Sequence, residues 1–418
     1  MDLKSKRWLV LIVSCIVNLI IGTGYAWSIF ARPWAEFTGA EIAQLGLVFG
    51  ICNAVGPITM ITGGKINDAL GPKWVVFVGG LLFGGGIALA GWQTVAGSGS
   101  LFWLFLGYSV IFGLAMGLIY SCTIGNTVKW FPDKRGLVGG LTTAAYGLGS
   151  VGLATILAGK VNADNVSQVF MTLGLIYAIV VCIGAFFIAQ APAGYVPEGW
   201  SPPAPNPNVK APTDKNWAAM LKDPVFYVML LTILSGAFFG LMMISNASPI
   251  AGRALGFEPA RAAYVVTALA LCNTAGRVAC GWISDFLGRI NTLAIALVLA
   301  IIGLFLVNLG VTGGQGSTFI IGVCLVGFTF GAFMGVYPGF TADQFGPKNN
   351  GINYGIMFIG FALAGWFGPK IVQSFTAGQA PGTPELIAAY SGAFKVAIGI
   401  AIAGLLMTFV FRLMTKKK

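Results

Sequence analysis

The stretch Ala268–Arg289, ALALCNTAGRVACGWISDFLGR, contains the two features that decide how the chain is organised. Most of it belongs to an apolar run long enough to cross a bilayer, and Arg277 stands in the middle of that run. An arginine at such a depth costs about 2.5–3.5 kcal/mol on membrane-insertion scales. Near the end of the stretch, Gly281–Gly288 has the pattern G-x-x-x-D-x-x-G, which returns at Gly64–Gly71. The first feature indicates a charged site inside a membrane protein, and the second indicates an internal repeat.

The amino-acid composition identifies the class of protein. The chain has 418 residues, of which 57% are hydrophobic and only 9% are charged, whereas roughly 25% of the residues of a soluble domain are charged. A transmembrane helix needs about 20 predominantly apolar residues. Twelve such runs are predicted at 8–31, 43–64, 74–96, 101–128, 136–158, 168–190, 225–250, 262–284, 290–311, 318–340, 351–374 and 390–413. We therefore predict an all-α membrane protein with twelve transmembrane helices.

One long polar segment divides the predicted spans into six plus six. Residues 191–224 are polar and rich in proline, which is typical of an extended linker. Most lysines and arginines fall in this linker, at the two termini and in the loops on the same side, so the positive-inside rule places that side in the cytoplasm. The prediction is a six-helix bundle at 1–190, a cytoplasmic linker at 191–224 and a second six-helix bundle at 225–418. The protein is expected in the cell membrane with both termini cytoplasmic.

Charge and composition also exclude several function classes. The formal net charge of +11 comes from short loops on one side of the membrane, so binding of nucleic acid is not predicted. The chain has no histidine, which removes histidine-based catalysis, histidine metal sites and the usual proton carrier near neutral pH. The seven cysteines fall in apolar runs and are predicted to be free. Because no nucleophile–base pair, metal cluster or phosphate loop is recognisable, we predict neither an enzyme nor a bound cofactor or metal.

The pattern G-x-x-x-D-x-x-G follows the second and the eighth predicted span, at equivalent places in the two halves. Its glycines allow a tight turn with close helix approach. Its aspartate can cap the N-terminus of a neighbouring helix and pair with a loop arginine. We predict that the loop charges Asp68, Arg135, Asp285 and Arg289 form and break cytoplasmic pairs as a gate moves. A plain tight turn would explain either copy alone, but not their paired placement.

Twelve spans, a central cytoplasmic loop and this repeated loop resemble the major facilitator superfamily over the whole chain. More specific strings resemble its monocarboxylate porter and oxalate:formate antiporter branch. These strings are GTGYAWSIF at 22–30, VKWFPDKRG at 128–136, MLKDPVFY at 220–227, NYGI at 353–356 and the segment around Arg277. The resemblance implies a pseudo-symmetric fold of six plus six helices, a substrate site near the middle of the membrane, and transport by alternating access.

Arg277 is the main candidate for substrate binding. All acidic residues fall in termini, loops, the linker or span ends, so the sequence places no carboxylate beside it. A guanidinium keeps its charge when dry and offers a planar fork to a carboxylate. The resemblance implies that an arginine of the eighth span binds the substrate carboxylate. The alternatives are a structural arginine bound to backbone carbonyls and an arginine that snorkels to the cytoplasmic side.

Asn273 lies one turn before Arg277, on the same helix face. It is predicted either to orient the guanidinium at the substrate site or to bond across helices. Monocarboxylate porters of animal type carry an aspartate at this position. The absence of that acid here argues against a proton step relayed by this side chain.

Tyrosines and one phenylalanine complete the predicted substrate site. A tyrosine hydroxyl can donate to a carboxylate from an apolar wall, although tyrosine is also common at membrane interfaces. The resemblance implies which spans line the substrate cavity. The tyrosines in these spans are Tyr25, Tyr120, Tyr337 and Tyr354. The antiporter family places a lysine in the eleventh span where this chain has Phe361, and one buried charge favours a monoanion with an apolar body over a dianion such as oxalate. Lys370, further along this span, is interpreted as an interface lysine or part of an outer gate.

The predicted function is secondary active transport of small monocarboxylates such as lactate or pyruvate, with the carboxylate bound to Arg277. The resemblance to monocarboxylate porters favours proton coupling, and exchange of organic anions, as in oxalate:formate antiporters, is the alternative. A hypothesis from a different functional class is a membrane sensor that has the same fold but does not transport. The lack of a long cytoplasmic signalling domain argues against it. The expected partners are the substrate, protons and the lipid bilayer, and the protein is expected to work as a monomer.

Overall fold

The computed structural model describes residues 2–157, 159–201 and 214–416. Within the helices, some side chains lie outside the description: Ser28, Ile42, Ala43, Gly64, Lys65, Asp68, Ala69, Leu70, Pro259 and Ala260. The predicted gating residue Asp68 is therefore outside the described side chains.

The described chain is almost entirely helical. In chain order, the α-helices are α1 (Leu3–Ile21), α2 (Ser28–Thr38), α3 (Ile42–Leu70), α4 (Pro72–Gln93), α5 (Phe102–Leu104), α6 (Gly113–Trp130), α7 (Arg135–Leu157), α8 (Val166–Ala185), α9 (Trp217–Leu221), α10 (Pro224–Arg253), α11 (Pro259–Leu287), α12 (Arg289–Thr312), α13 (Gly316–Phe345), α14 (Asn350–Met357), α15 (Ile359–Thr376) and α16 (Pro384–Thr415). A 3₁₀ segment, Gly22–Trp27, connects α1 to α2, and a π-helical segment, Phe105–Phe112, connects α5 to α6.

Twelve helical segments of the described chain are long and apolar enough to cross a membrane. They begin with Leu3–Trp27 and end with Pro384–Thr415, and each overlaps one of the runs predicted from hydropathy. The predicted fold class, an all-α membrane protein with twelve transmembrane helices, is confirmed. The sequence places the spans well because an apolar run of this length has few stable alternatives to a helix in lipid.

The repeated loops are single-residue connections that require glycine. Gly71 separates α3 from α4, and Gly288 separates α11 from α12. Their backbone angles are alike, with φ of 83° and ψ of 164° at Gly71 and φ of 85° and ψ of 148° at Gly288. A residue with a Cβ is strained at such positive φ values. Proline at the first position of α4, Pro72, then starts the next helix without losing a helical hydrogen bond.

The contacts of the chain divide it into two compact units. The first unit comprises Met1–Asp133, Ala145–Ser201 and Phe345–Ile356. The second unit comprises Lys134–Ala144, Pro202–Gln344 and Met357–Lys418. The start of α7 thus belongs to the second unit and the rest of α7 to the first, while most of α14 belongs to the first unit. The predicted division into bundles 1–190 and 225–418 stays a prediction.

Glycines allow backbone-to-backbone packing inside each unit. In the first unit, a Cβ on Gly84 of α4 would lie 2.3 Å from the carbonyl oxygen of Gly174 on α8. In the second unit, a Cβ on Gly276 of α11 would lie 1.9 Å from the carbonyl oxygen of Phe328 on α13. Lipid supplies no hydrophobic force between helices, so such close contact is an important source of association in a membrane.

Candidate functional site

Arg277 lies on α11 in the second unit, and its side chain is almost completely buried, with 7% of the residue exposed. Its Nε donates to Oδ1 of Asn273 at 2.7 Å, and its Nη1 donates to the main-chain oxygen of Thr143 at 2.6 Å. Among the ion pairs formed by the described side chains, none involves Arg277. The guanidinium is therefore held by neutral oxygens, and no described carboxylate is in contact with its charge.

The two hydrogen bonds leave one end of the guanidinium available. A guanidinium has five N–H donors in a planar fork, and two of them are used by Asn273 and Thr143. Among the described residues Nη2 makes no hydrogen bond, and it is not completely enclosed. One N–H of Nη1 and both N–H groups of Nη2 remain, which is the pair of atoms that a carboxylate needs for a bidentate contact.

Three glycines bring neighbouring helices onto the turn that presents Arg277. A Cβ on Gly140 of α7 would lie 2.3 Å from the carbonyl oxygen of Arg277, and a Cβ on Gly335 of α13 would lie 2.2 Å from the same atom. A Cβ on Gly331 would lie 2.0 Å from the carbonyl oxygen of Asn273. Because no side chain separates these backbones, the main chain of α7 comes close enough for Thr143 to accept from Arg277.

Asn273 is buried, with 5% of the residue exposed, and its Oδ1 orients the guanidinium through Nε of Arg277. This bond fixes which end of the amide faces the arginine. Nδ2 then points away from the guanidinium, is completely enclosed and has no hydrogen-bond partner among the described residues. An amide N–H that is buried without a partner costs about 1–3 kcal/mol. Asn273 thus keeps an unused donor beside Arg277.

Tyr337 and Phe361 also lie in the second unit, within aromatic clusters. Tyr337 is completely buried, its hydroxyl donates to the main-chain oxygen of Met229 at 2.8 Å, and its ring stacks on Phe333. Phe361 stacks on Phe358 with ring centroids 4.5 Å apart. The hydrogen bonds and ring contacts of the described residues do not join either side chain to Arg277.

The first unit holds Tyr25, Tyr120 and Tyr354. The rings of Tyr25 and Tyr120 both pack on Tyr146, with centroids 5.3 and 4.8 Å away. The hydroxyl of Tyr146 donates to Sδ of Met116 at 3.2 Å. Tyr354 is buried on α14, with 1% of the residue exposed. Tyr146 was not predicted as a site residue. Helical spacing could have indicated it, because it lies one turn after Thr143 on α7.

Loop charges of the second unit form a connected network. Asp343 accepts from Arg135 at 2.5 Å and from Arg289 at 2.8 Å, and Arg289 also pairs with Asp285 at 2.6 Å. Asp285 in turn accepts from the backbone N–H groups of Gly136 and Leu137, each at 2.9 Å. The carboxylate therefore caps the first turn of α7, where two N–H groups have no partner within the helix.

Sequence reasoning did not find Asp343, whose carboxylate joins Arg135 to Arg289. It lies near the end of the long helix α13 rather than in a recognisable loop motif.

Lys370, on α15, is exposed and its Nζ lies 3.5 Å from the centroid of the Trp366 ring. The described residues contain no group of three or more His, Cys, Asp or Glu side chains that could hold a metal ion.

Comparison with known proteins gives the family of the chain. A family model described as Major Facilitator Superfamily matches residues 10–369. The chain belongs to the major facilitator superfamily. It is therefore a multi-pass membrane protein of a transporter family, and the resemblance drawn from the sequence motifs is confirmed.

Individual relatives and one solved structure agree with this family. The chain is 29% identical over 360 residues to the uncharacterised MFS-type transporter YhjX of Escherichia coli K12, covering 86% of each chain. It is 29% identical over 367 residues to the oxalate:formate antiporter of Oxalobacter formigenes, covering 88% of this chain and 84% of the relative. It is 24% identical over 280 residues to monocarboxylate transporter 13 of Bos taurus, covering 66% and 61%. The proton:xylose symporter XylE has the same fold, with a TM-score of 0.71 at 13% identity, covering 100% of this chain and 98% of XylE.

Proposed function

We propose that this major facilitator transporter carries small monocarboxylates, such as lactate or pyruvate, and binds the carboxylate with Arg277. The supporting observation is the free end of a buried guanidinium whose present partners are a main-chain oxygen and an amide oxygen. A carboxylate there would add charge-assisted hydrogen bonds and neutralise a cation that lies deep in a predicted span. The similarity to an oxalate:formate antiporter and to a monocarboxylate transporter supports the choice of a carboxylate.

The aromatic surroundings of Phe361 support a monoanion rather than a dianion. Phe361 stacks on Phe358 and Phe330 in the second unit, and the sequence places no second cation in the interior of the spans. A second carboxylate would have to leave water without a cation to receive it, which is costly in an apolar wall. In this proposal, Tyr120, Tyr25, Tyr337 and Tyr354 are further substrate contacts, made as the transporter changes state.

The transport cycle that we propose is alternating access. A carboxylate on the free N–H groups of Nη1 and Nη2 draws the guanidinium toward itself and weakens the bond from Nη1 to the main-chain oxygen of Thr143, which loosens the start of α7. The network of Asp285, Arg289 and Arg135 then opens and closes the cytoplasmic end, with Asp68 in the equivalent place of the other half. The sequence contains no histidine and no acid in the interior of a span, so a coupled proton would travel with the substrate.

The test is uptake of labelled lactate and pyruvate into proteoliposomes that contain the purified protein. Wild-type protein should accumulate label when an inward proton gradient is applied. Arg277→Lys keeps the charge but loses the planar fork, and it should abolish saturable uptake. The same substitution at Arg32, whose side chain is 84% exposed, is the control and should retain uptake. Normal uptake by Arg277→Lys would refute the assignment of the site.

Exchange of organic anions is the second candidate, because a relative with 29% identity is an oxalate:formate antiporter. The same proteoliposomes distinguish the two. Symport needs only the proton gradient and works in liposomes without internal anion. Exchange requires an internal carboxylate and is insensitive to a protonophore. Binding without uptake under either condition would instead indicate a sensor.

A further inference from the structure

The helices α11 and α13 run side by side in the second unit, with their backbones in contact. A Cβ on Gly327 of α13 would lie 2.7 Å from the carbonyl oxygen of Leu269 on α11. Eight residues further along both helices, a Cβ on Gly335 would lie 2.2 Å from the carbonyl oxygen of Arg277. Because the contacts advance in the same direction on both helices, α11 and α13 are parallel over this stretch.

Two cysteines face each other across this helix contact. A Cβ on Gly276 of α11 would lie 3.0 Å from the Cα of Phe328 on α13. Cys272 and Cys324 come four residues before these two positions, which is about one helical turn. Because the helices are parallel, the cysteines are opposite each other one turn earlier. Their thiols interact directly, through a hydrogen bond between the two side chains.

The pair of thiols lies at the edge of the helix contact, beside apolar side chains. Neither cysteine is in a disulfide, and both are half-buried. Leu271, next to Cys272, and Ile321, about one turn before Cys324, are exposed aliphatic residues. The thiols are therefore open to a small uncharged molecule. A charged group placed there would lose hydration without a counter-charge, which is costly.

These surroundings restrict what the two thiols can bind. Structural zinc sites and iron–sulfur clusters usually take four protein ligands. In the part of the chain that the structure describes, no group of three or more His, Cys, Asp or Glu side chains could hold a metal ion. A matching ligand must therefore prefer sulfur, need only two sulfur atoms and form an uncharged product. Trivalent arsenic that carries one further group meets all three conditions.

We propose that Cys272 and Cys324 form a dithiol site that binds trivalent arsenic through one As–S bond to each sulfur. With phenylarsine oxide, two S–H bonds and the arsenic–oxygen bond break, and two As–S bonds form. Both thiol protons go to the oxygen, which leaves as water, and the arsenic stays trivalent. Neither the reactants nor the product carry a charge, which suits apolar surroundings. The bound arsenic fastens α11 to α13, whatever the transported substrate is.

The test is intact-mass spectrometry of reduced, folded protein that has been treated with phenylarsine oxide in detergent. Wild-type protein should carry one phenylarsenic group that survives excess 2-mercaptoethanol and is removed by 2,3-dimercaptopropanol. The second As–S bond forms within one molecule, so the pair should bind about 100-fold more tightly than a single thiol. Cys272→Ser and Cys324→Ser should each lose the group in 2-mercaptoethanol. Its retention by either variant, or its loss from wild-type protein, would overturn the proposal.

Two control variants and a protection experiment complete the test. Cys15→Ser and Cys182→Ser remove half-buried cysteines of α1 and α8 and should keep the arsenic group. In wild-type protein, N-ethylmaleimide is added in SDS after the arsenic treatment, and the labelled peptides are identified. Arsenic should protect Cys272 and Cys324 together and leave the labelling of Cys15 and Cys182 unchanged. Protection of only one member of the pair, or of neither, would contradict the proposal without relying on the folding of a variant.

Discussion

At the scale of single residues, the distinctive feature is a buried cation whose partners in the described part of the chain are neutral oxygens. Arg277 uses two of its donors on Asn273 and Thr143 and keeps three. A main-chain oxygen is a weaker partner than a carboxylate, because a carboxylate adds the attraction of opposite charges and can accept from two donors of the guanidinium at once. The three remaining donors therefore favour binding of an incoming carboxylate at Nη1 and Nη2.

The first prediction concerns the orientation of this guanidinium. Asn273→Ala removes the acceptor of Nε, so the arginine loses one of its two fixed contacts, and the KM for lactate should rise about 10-fold, the factor that corresponds to one hydrogen bond. Initial rates of uptake at varied lactate concentration provide the measurement. Thr274→Ala is the matched control on the same helix, since its hydroxyl only bonds back to Ala270. Equal KM values for both variants would show that Asn273 has no orienting role.

The second prediction concerns the choice between mono- and dicarboxylates. Phe361→Lys introduces a second cation into the aromatic stack with Phe358 and Phe330. We expect inhibition of lactate uptake by oxalate to strengthen at least 10-fold, while the variant loses affinity for lactate. Phe375→Lys, at a position that is 42% exposed in the last turn of the same helix, should leave the order of inhibitors unchanged, because a lysine there can reach the membrane surface. An unchanged order in the Phe361 variant would show that this residue does not set the preference.

At the scale of helices, the site depends on glycines that let three backbones meet. Gly140 on α7 and Gly335 on α13 both face the carbonyl oxygen of Arg277. An alanine at either position would place its Cβ within 2.3 Å of that oxygen, so the helices must separate. Separation moves Thr143 away from Nη1, and the site then loses one of its two anchors.

The third prediction follows from this packing. Gly140→Ala should destabilise the protein by about 1–3 kcal/mol, the usual cost of overpacking, and should impair uptake in proportion. Gly152→Ala is the matched control on α7, because a Cβ there meets nothing within 4 Å, and alanine is the better helix former. Thermal unfolding in detergent distinguishes the variants. A stable Gly140→Ala with full uptake would mean that the close contact is dispensable.

Sequence reasoning predicted the spans and the repeated turns because each depends on local chemistry. An apolar run of about 20 residues is sufficient to indicate a span, and the positive φ of Gly71 and Gly288 explains the glycines of the repeated pattern. The buried state of Arg277 also followed from its position in a run without acids. The hydrogen bond from Arg277 to Thr143 could not be predicted, because Thr143 accepts through its main-chain oxygen, which no side-chain pattern reveals. The breaks at Gly22–Trp27 and Phe105–Phe112 were also missed, since hydropathy does not distinguish 3₁₀ or π-helical turns from α-helix.

At the scale of the whole molecule, two helices are shared between the compact units. The start of α7, up to Ala144, belongs to the second unit, and α14, up to Ile356, belongs to the first. Inside the second unit, the start of α7 is held by charged groups at one end and by Arg277 at the other. In our proposal, these two attachments couple substrate binding to the gate, because both act on the same short helical segment.

The fourth prediction tests the charged attachment. Asp343→Ala leaves Arg135 and Arg289 without their shared carboxylate. Since the Asp343 side chain is 35% exposed, solvent screens part of the loss, and we expect a destabilisation of about 1–3 kcal/mol together with slower transport. Glu36→Ala breaks the exposed pair with Arg32 and should cost at most about 1 kcal/mol. Thermal unfolding and uptake rates measure both. Equal effects of the two variants would exclude a special role for the network.

Binding of carboxylates to the purified protein is the most direct test of the role of Arg277. Titration calorimetry with lactate, pyruvate, oxalate and a neutral analogue, lactamide, measures affinity without a transport step. We predict saturable binding of lactate and pyruvate to wild-type protein and to Arg32→Lys, no binding of lactamide, and a loss of about 10- to 100-fold in affinity for Arg277→Lys. Equal affinity of wild-type protein and Arg277→Lys for the carboxylates would contradict the account.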